Sequence, residues 1–284
     1  MKTKKILSVF IAIISVAIAL DLWFGYENKT IVTTVIQVED EDIPSSFSSF
    51  RIVQVSDLHN ATFGYENKNL INALEKAEPD IIVLTGDMVD ISRPDIDVTL
   101  KFAEKASQIA PTYFVTGNHD VKVVGREKLL AGLSEKGVTV LRNEKVVIEK
   151  NGEKITLIGI DDPKFLDDFM PYDDKTNTEK AIESLIGEDD GFTVLLAHRA
   201  EMIDVFAKTD VDLVLTGHAH GGQIRLPSKG GILSPGQGWW PEYTSGLYKE
   251  KNTQMIVSRG LGNSTFPFRI NNKPEIVVAE LICK

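Results

Sequence analysis

The chain has 284 residues, 43% hydrophobic and 25% charged, enough apolar material to build one large domain or two small ones. Its formal charge is −10, and the residues after the first 25 carry 28 basic against 40 acidic side chains. A body that acidic has no general attraction for phosphates of a nucleic-acid backbone, so binding of that kind is excluded as its main task. The single cysteine, Cys283, cannot form an intrachain disulfide and is read as a thiol of no consequence.

The chain opens with "MKTKK", then runs from residue 6 to 20 without a charge; counted through Phe24 the apolar stretch is nineteen residues, interrupted by Asp21. Residues 1–25 are therefore expected to be an N-terminal membrane anchor crossing through 6–24, with Trp23 at the interface. A signal sequence cleaved after Ala17–Ile18–Ala19, which would release the protein, is the rival reading. The apolar run is at the long end for a signal, which favours the anchor. Either way, Lys2, Lys4 and Lys5 precede the segment and place the rest outside the cytoplasm.

Residues 26–48 read as a linker holding an edge strand at 30–38 and an acidic, Ser-rich connector; the main domain is expected over 49–284. From there strands and helices alternate: strand 50–56, helix 66–78, strand 80–86, helix 98–109, strand 111–117, helix 126–136. That order argues for a largely parallel, buried sheet. Residues 145–160 then read as a hairpin turning at Asn151–Gly152, strands follow at 191–198 and 211–216, residues 245–260 form a second hairpin, and 274–282 a last strand. Parallel units mixed with hairpins point to an α/β protein of two mixed sheets.

The five histidines, with several acids and an Asn, fall where those strands end: "SDLHN" at 50–56, "GDMVD" at 80–86 with Asp87 and no histidine, "GNHD" at 111–117, His198 after 191–197 and "GHAH" at 211–216. Ligand sites of α/β sheets lie outside the carboxyl ends of strands. If the chain stays extended at each exit, residues i and i+2 such as Asp57 and His59, or His218 and His220, point to one side. Gly86, Gly117 and Gly217 are expected to permit the tight turns that gather them. Carboxylate, imidazole and amide oxygen together suit borderline divalent ions such as Mn, Fe or Zn. They are too many for one tetrahedral zinc; two ions sharing a carboxylate fit the number, a pattern suited to phosphoryl displacement.

The ordered set "DLH", "GD", "GNHD", "AHR" and "GHAH" across residues 57–220 resembles the calcineurin-like metallophosphoesterases. The flanks "IPSSFSSFRIVQVSDLH", "GHAHGGQIRLP" and "SRGLGNSTFPFRINNKPEIVVAEL" look like a bacterial branch whose members often carry an N-terminal membrane segment. The likeness covers about residues 44–282. It implies a four-layer αββα sandwich of two mixed β-sheets. It also implies that Asp57, His59 and His220 hold one divalent ion, that Asn118, His198 and His218 hold a second, and that Asp87 bridges them. By the same resemblance, His119 gives a proton to the leaving group or stabilises the transition state, and Asp120 orients its ring. The implied reaction is hydrolysis of a phosphoester by a metal-bridging hydroxide, without a phospho-enzyme. A phosphodiester of a lipid or envelope component is favoured; phosphomonoesterase or pyrophosphatase action on a soluble nucleotide, or a non-catalytic metal-binding scaffold, are the alternatives.

Outside that set, Arg199 is a candidate phosphate contact against a surface salt bridge, and Arg225 and Arg269 are candidates against a structural reading as strand-end arginines. Trp239 and Trp240, in the "PGQGWWPEY" loop, are candidates for a substrate cleft or the membrane interface, with packing on the domain favoured.

Overall fold

The structure, a computed structural model, describes residues 2–165, 174–187, 189–263 and 266–284; Ser264 and Thr265 of the flank quoted above lie outside the described residues. Helix α1 (Lys2–Lys29) runs beyond the boundary expected at residue 25. Nothing in "GYENK" stops a helix, and its last turn is closed by the Thr30 amide donating to the Tyr26 carbonyl. The apolar side chains from Ile6 to Leu22 are exposed, and the helix is long and apolar enough to cross a membrane.

Strand β1 (Val32–Asp40) pairs in parallel with β16 (Glu275–Cys283) along nine residues, so the middle of the expected linker is built into a sheet. Its alternating exposure fits its place at the edge. That sheet continues through β2 (Arg51–Val55), β3 (Ile81–Leu84), β4 (Thr112–Phe114) and β5 (Val138–Val140), in the order β1-β16-β2-β3-β4-β5. Strands β2 to β5 are parallel, and β16 runs antiparallel to β2. Helices α2 (Lys68–Ala77), α3 (Ile96–Ser107), the short α4 (Asn118–Lys122) and α5 (Arg126–Glu135) fall between them in sequence.

The second sheet begins with the hairpin β6 (Glu144–Lys150) and β7 (Glu153–Gly159). After α6 (Asp174–Glu183) come β8 (Thr193–Arg199), α7 (Ile203–Phe206) and β9 (Leu213–Gly217). Two small hairpins follow, β10 (Arg225–Leu226) with β11 (Gly230–Gly231) and β12 (Leu233–Ser234) with β13 (Gly238–Trp239). The hairpin β14 (Gly246–Glu250) and β15 (Thr253–Val257) completes the order β14-β15-β9-β8-β7-β6.

Alternate residues of the strands separate the layers, as the two-residue period of a strand requires. Ile52, Ile81 and Val83 of one sheet meet Leu157, Val194, Leu196, Leu213 and Leu215 of the other in a shared core. Val53, Val55, Ile82 and Leu84 turn the other way, onto Leu70, Leu74, Phe102 and Leu129 of the helices. On the far side, Leu195, Val214 and Met255 meet Ile182, Ile203 and Phe206. The protein is a four-layer αββα sandwich of two mixed sheets. Burying both faces explains why the central strands read as continuous apolar runs.

Candidate metal centre

The carboxyl ends of β2, β3 and β4 in one sheet meet those of β8 and β9 in the other. Asp57 and His59 follow β2, Asp87 follows β3, Asn118 and His119 open α4, His198 is the penultimate residue of β8, and His218 and His220 follow β9. The chain does not stay extended there. Asp57, His59, Asp87, His218 and His220 all have positive φ, between 45° and 66°, which costs a non-glycine residue about 1–2 kcal/mol. The i and i+2 side chains converge through this left-handed backbone, correcting the expectation of an extended exit. Hydrogen bonds hold the turns: Asp57 N–H to Gly86 O, His59 N–H to Asp87 O, and His218 N–H to both Asp57 oxygens at 3.2 and 3.1 Å.

The side chains form two lobes around one carboxylate. In the first, His220 Nε2 lies 3.4 Å from Asp57 Oδ1 and 3.2 Å from His59 Nε2. In the second, His198 Nε2 and His218 Nδ1 are 3.2 Å apart. Between them, Asp87 Oδ2 is 3.6 Å from His59 Nε2 and 3.3 Å from His198 Nε2. All six of these residues are at most 5% exposed. The buried Asn118 Oδ1 has no hydrogen-bond partner. The His198 Nδ1 is 2.8 Å from Thr85 O, so it carries the proton of the neutral ring and leaves the Nε2 lone pair facing inward. Facing imidazole nitrogens and an orphaned amide oxygen around a carboxylate suit cations rather than one another, so the donor set fits divalent ions.

Electrostatics agree. Burial pushes Asp57 up to about 6 and pulls His59 down to about 4. Burial also holds His218 and His220 well below the ordinary imidazole value. Burial opposes charge on Asp87, yet His198 and His59 keep its carboxyl well below the usual range. His198 is likewise opposed by burial, but Asp87 and Asp57 raise it to about 10. The protein alone thus retains a proton on His198 where a cation would supply the positive charge.

The glycines act mainly by giving room. Gly86 has φ 89°, and a Cβ there would lie 2.8 Å from His198 Nδ1 and 2.6 Å from Gly117 N. A side chain on Gly117 would collide with Asp87, and one on Gly217 with Ser56 and Asp57. His119, half-buried, stacks edge-on to His59 with ring centroids 4.6 Å apart. Its Nδ1 accepts from the Ile91 amide. The fully buried Asp120 was expected to orient that ring. Its oxygens accept from the amides of Met88, Val89 and Gly117, bracing the turns that carry Asp87 and Asn118.

Against this geometry, the comparisons with known proteins are direct. The family model described as "Calcineurin-like phosphoesterase" matches residues 50–222. The chain belongs to the calcineurin-like phosphoesterase family. It is therefore a hydrolase acting on phosphoester bonds. It is 32% identical over 269 residues to the "Uncharacterized metallophosphoesterase YkuE" of Bacillus subtilis (strain 168), covering 91% of this chain and 89% of that one. It is 30% identical over 213 residues to the "Phosphodiesterase YaeI" of Escherichia coli (strain K12), covering 72% and 71%. A "Transmembrane protein with metallophosphoesterase domain" of Bos taurus is 30% identical over 259 residues, covering 86% of this chain and 55% of that one.

In this metallophosphoesterase several polar residues around the centre had no motif to reveal them. Gln54 on β2 donates to Thr85 Oγ1 and to Thr216 O, joining the two sheets just behind the ligands. Ser56 Oγ donates to Asp57 Oδ2 at 2.6 Å. Asn272 donates to the His220 carbonyl, and Glu201 Oε1 lies 3.6 Å from His218 Nε2. A polar residue inside an apolar strand, as Gln54 is, was the one available signal.

The three arginines are held by groups of the protein itself. Arg199 is held by Asp162 at 2.7 and 3.2 Å, with Glu201 at 3.5 Å. Arg225 donates to Gly221 O and Thr244 Oγ1. Arg269 is fully buried; it donates to Arg259 O and Gly262 O, and its Nη2 lies 3.4 Å from His220 Nδ1. Trp239 and Trp240 stand out, 71% and 57% exposed, contrary to the expectation that their loop packs them on the domain.

Proposed function

We propose that this metallophosphoesterase is a phosphodiesterase with two divalent ions, acting at the outer face of a membrane on a lipid or envelope component. Asp57, His59 and His220 would hold one ion, and Asn118, His198 and His218 the other, with Asp87 between them. The observation that carries the reading is the placement of Asp87 Oδ2 within 3.6 Å of both His59 and His198. The ions, Mn, Fe or Zn by donor type, would supply Lewis-acid charge and activate water at neutral pH.

The protein's own groups do the rest. The Ile91 amide donates to His119 Nδ1, which puts the proton of the neutral ring on Nε2 as a hydrogen-bond donor to a departing oxygen; the ring transfers a proton there only after gaining a second one on Nδ1. The His119 amide holds Asp87 Oδ1, which keeps Oδ2 directed at the imidazoles. Diester preference draws support from the likeness to the phosphodiesterase YaeI of Escherichia coli. Helix α1, with lysines only before its apolar stretch until Lys29, supports an anchor with residues 30–284 outside the cytoplasm.

Metal-loaded full-length protein assayed on bis-p-nitrophenyl phosphate, p-nitrophenyl phosphate, a nucleoside diphosphate and phospholipid vesicles tests the reading. Turnover of the diester and the lipid is expected to exceed that of the monoester and the nucleotide. Preference for the monoester or nucleotide would replace it with phosphomonoesterase or pyrophosphatase action. Protease added to wall-permeabilised cells is expected to digest the domain before lysis; full protection would place it inside.

A further inference from the structure

The last turn of α1 is fastened to the loop that packs on the metal centre. Phe24 and Asn28, one turn apart on the same helix face, make the joint. Asn28 Oδ1 accepts from the Arg269 amide at 2.7 Å and from Asn263 Nδ2 at 3.4 Å, and its Nδ2 donates to the Arg269 carbonyl. The Phe24 ring meets Phe268 edge-on at 5.8 Å between centroids. Beside them the buried Glu27 pairs with Lys273, whose Nζ lies 4.2 Å above the Tyr26 ring.

The other side of the same loop touches the ligands. The Gly262 amide donates to Asp57 O, Arg269 Nη2 reaches His220 Nδ1, and Asn272 holds the His220 carbonyl. Gln223, three residues beyond His220, donates to the carbonyls of Phe266 and Phe268. The distance from membrane helix to metal ligand is thus one loop thick.

An apolar span ending near Trp23 and Tyr26 puts those rings at the level of the head groups. Phe268 contacts the helix at that level, yet it is 37% exposed, as is Phe266 at 38%. The same helix exit borders a recess of about 470 Å³ whose lining includes Lys29, Lys76, Asn69 and Asn72. Its two ammonium groups suit anionic head groups, in a body that is otherwise acidic.

We infer that Phe266 and Phe268 form a rim that rests in the bilayer interface and holds the metal centre at the membrane surface, facing phosphoesters carried by bilayer components. The inference rests on the reading of α1 as an uncleaved anchor. The joint at Asn28 makes the domain a fixed extension of the helix rather than a body on a tether. Substrate would be met as it lies in the interface, without leaving the membrane.

The test uses the full chain with Cys283→Ser, single cysteines at Phe266→Cys, Phe268→Cys, Ile13→Cys and the exposed Lys154→Cys, each spin-labelled and reconstituted in phosphatidylcholine–phosphatidylglycerol vesicles. Accessibility to oxygen against a water-soluble nickel chelate reads the depth of each label. The labels at 266 and 268 are expected in the interface, that at 13 in the hydrocarbon and that at 154 in water. Labels at 266 or 268 as aqueous as that at 154, with 13 still in lipid, would overturn the rim and leave the anchor standing. A label at 13 in water would overturn the anchor reading and this one with it.

Discussion

The amide of His119 donates to Asp87 Oδ1 at 2.7 Å, so the residue proposed as proton donor also fixes the carboxylate proposed to bridge the ions. One oxygen is spent on the backbone, and the other is left facing His59 and His198.

Asp87→Asn removes the negative charge from between the two lobes while keeping the shape. Both sites should lose affinity, by more than the about 10–100-fold expected for an outer partner. Calorimetric metal titration of the variant checks this; loss confined to one site would reject a bridging role.

His119→Ala should keep the metal content and lower kcat by about 10²–10⁴-fold, the range for a general acid. Its backbone amide, and so the hold on Asp87, survives the change. The loss should shrink for esters with acidic leaving groups, which depart without a proton. A plot of log kcat against leaving-group pKa, steeper in the variant than in the wild type, is the expected result.

Arg269→Met should lower metal affinity at the Asp57, His59 and His220 lobe about 10–100-fold and spare the other, because the guanidinium ties down the Arg259 and Gly262 carbonyls of the loop whose Gly262 amide holds Asp57. Arg269→Lys should not restore it, since one ammonium cannot reach two carbonyls and the ring in the planar fork that Arg269 uses. Site-resolved metal titration of both variants is the measurement.

Metal uptake should release protons and strengthen as pH rises. His198 in the metal-free protein is held up to about 10, above its ordinary 6.5, so at pH 7 its Nε2 carries a proton that must leave before the ion binds. Asp57, raised to about 6, adds a second protonated ligand below that pH. Both effects have the same sign: affinity climbs from pH 6 towards 10 and levels above it. Titration in two buffers of different ionisation enthalpy gives the proton count.

Much of this was legible because ligand residues and strand ends coincide along the chain. Continuous apolar runs such as 80–86 and 211–216 marked the buried strands, and the histidines could then be placed at their exits. The means of convergence was not legible. Asp57, His59, Asp87, His218 and His220 are residue types that tolerate left-handed backbone better than most, but no local pattern in the sequence demands it there; the packed loops impose it. The resemblance gave Asp120 a role toward the His119 ring; its hold on the backbone amides of Met88 and Gly117 had no signal in the sequence. Arg269 could be read either as a phosphate contact or as a structural arginine; only the fold reveals that it is sealed behind His220. The short β5, α7 and the small hairpins β10 to β13 are too brief to show a period of their own.

The central claim is a two-ion centre built on Asp87. Its most direct test is elemental analysis of the full-length protein after loading with Mn or Zn and removal of excess metal. Two ions per wild-type chain are expected, lost from Asp87→Asn together with phosphoester hydrolysis, as a two-ion centre built on Asp87 requires. A wild-type chain that retains no metal, or hydrolyses phosphoesters equally well after chelation, would contradict it.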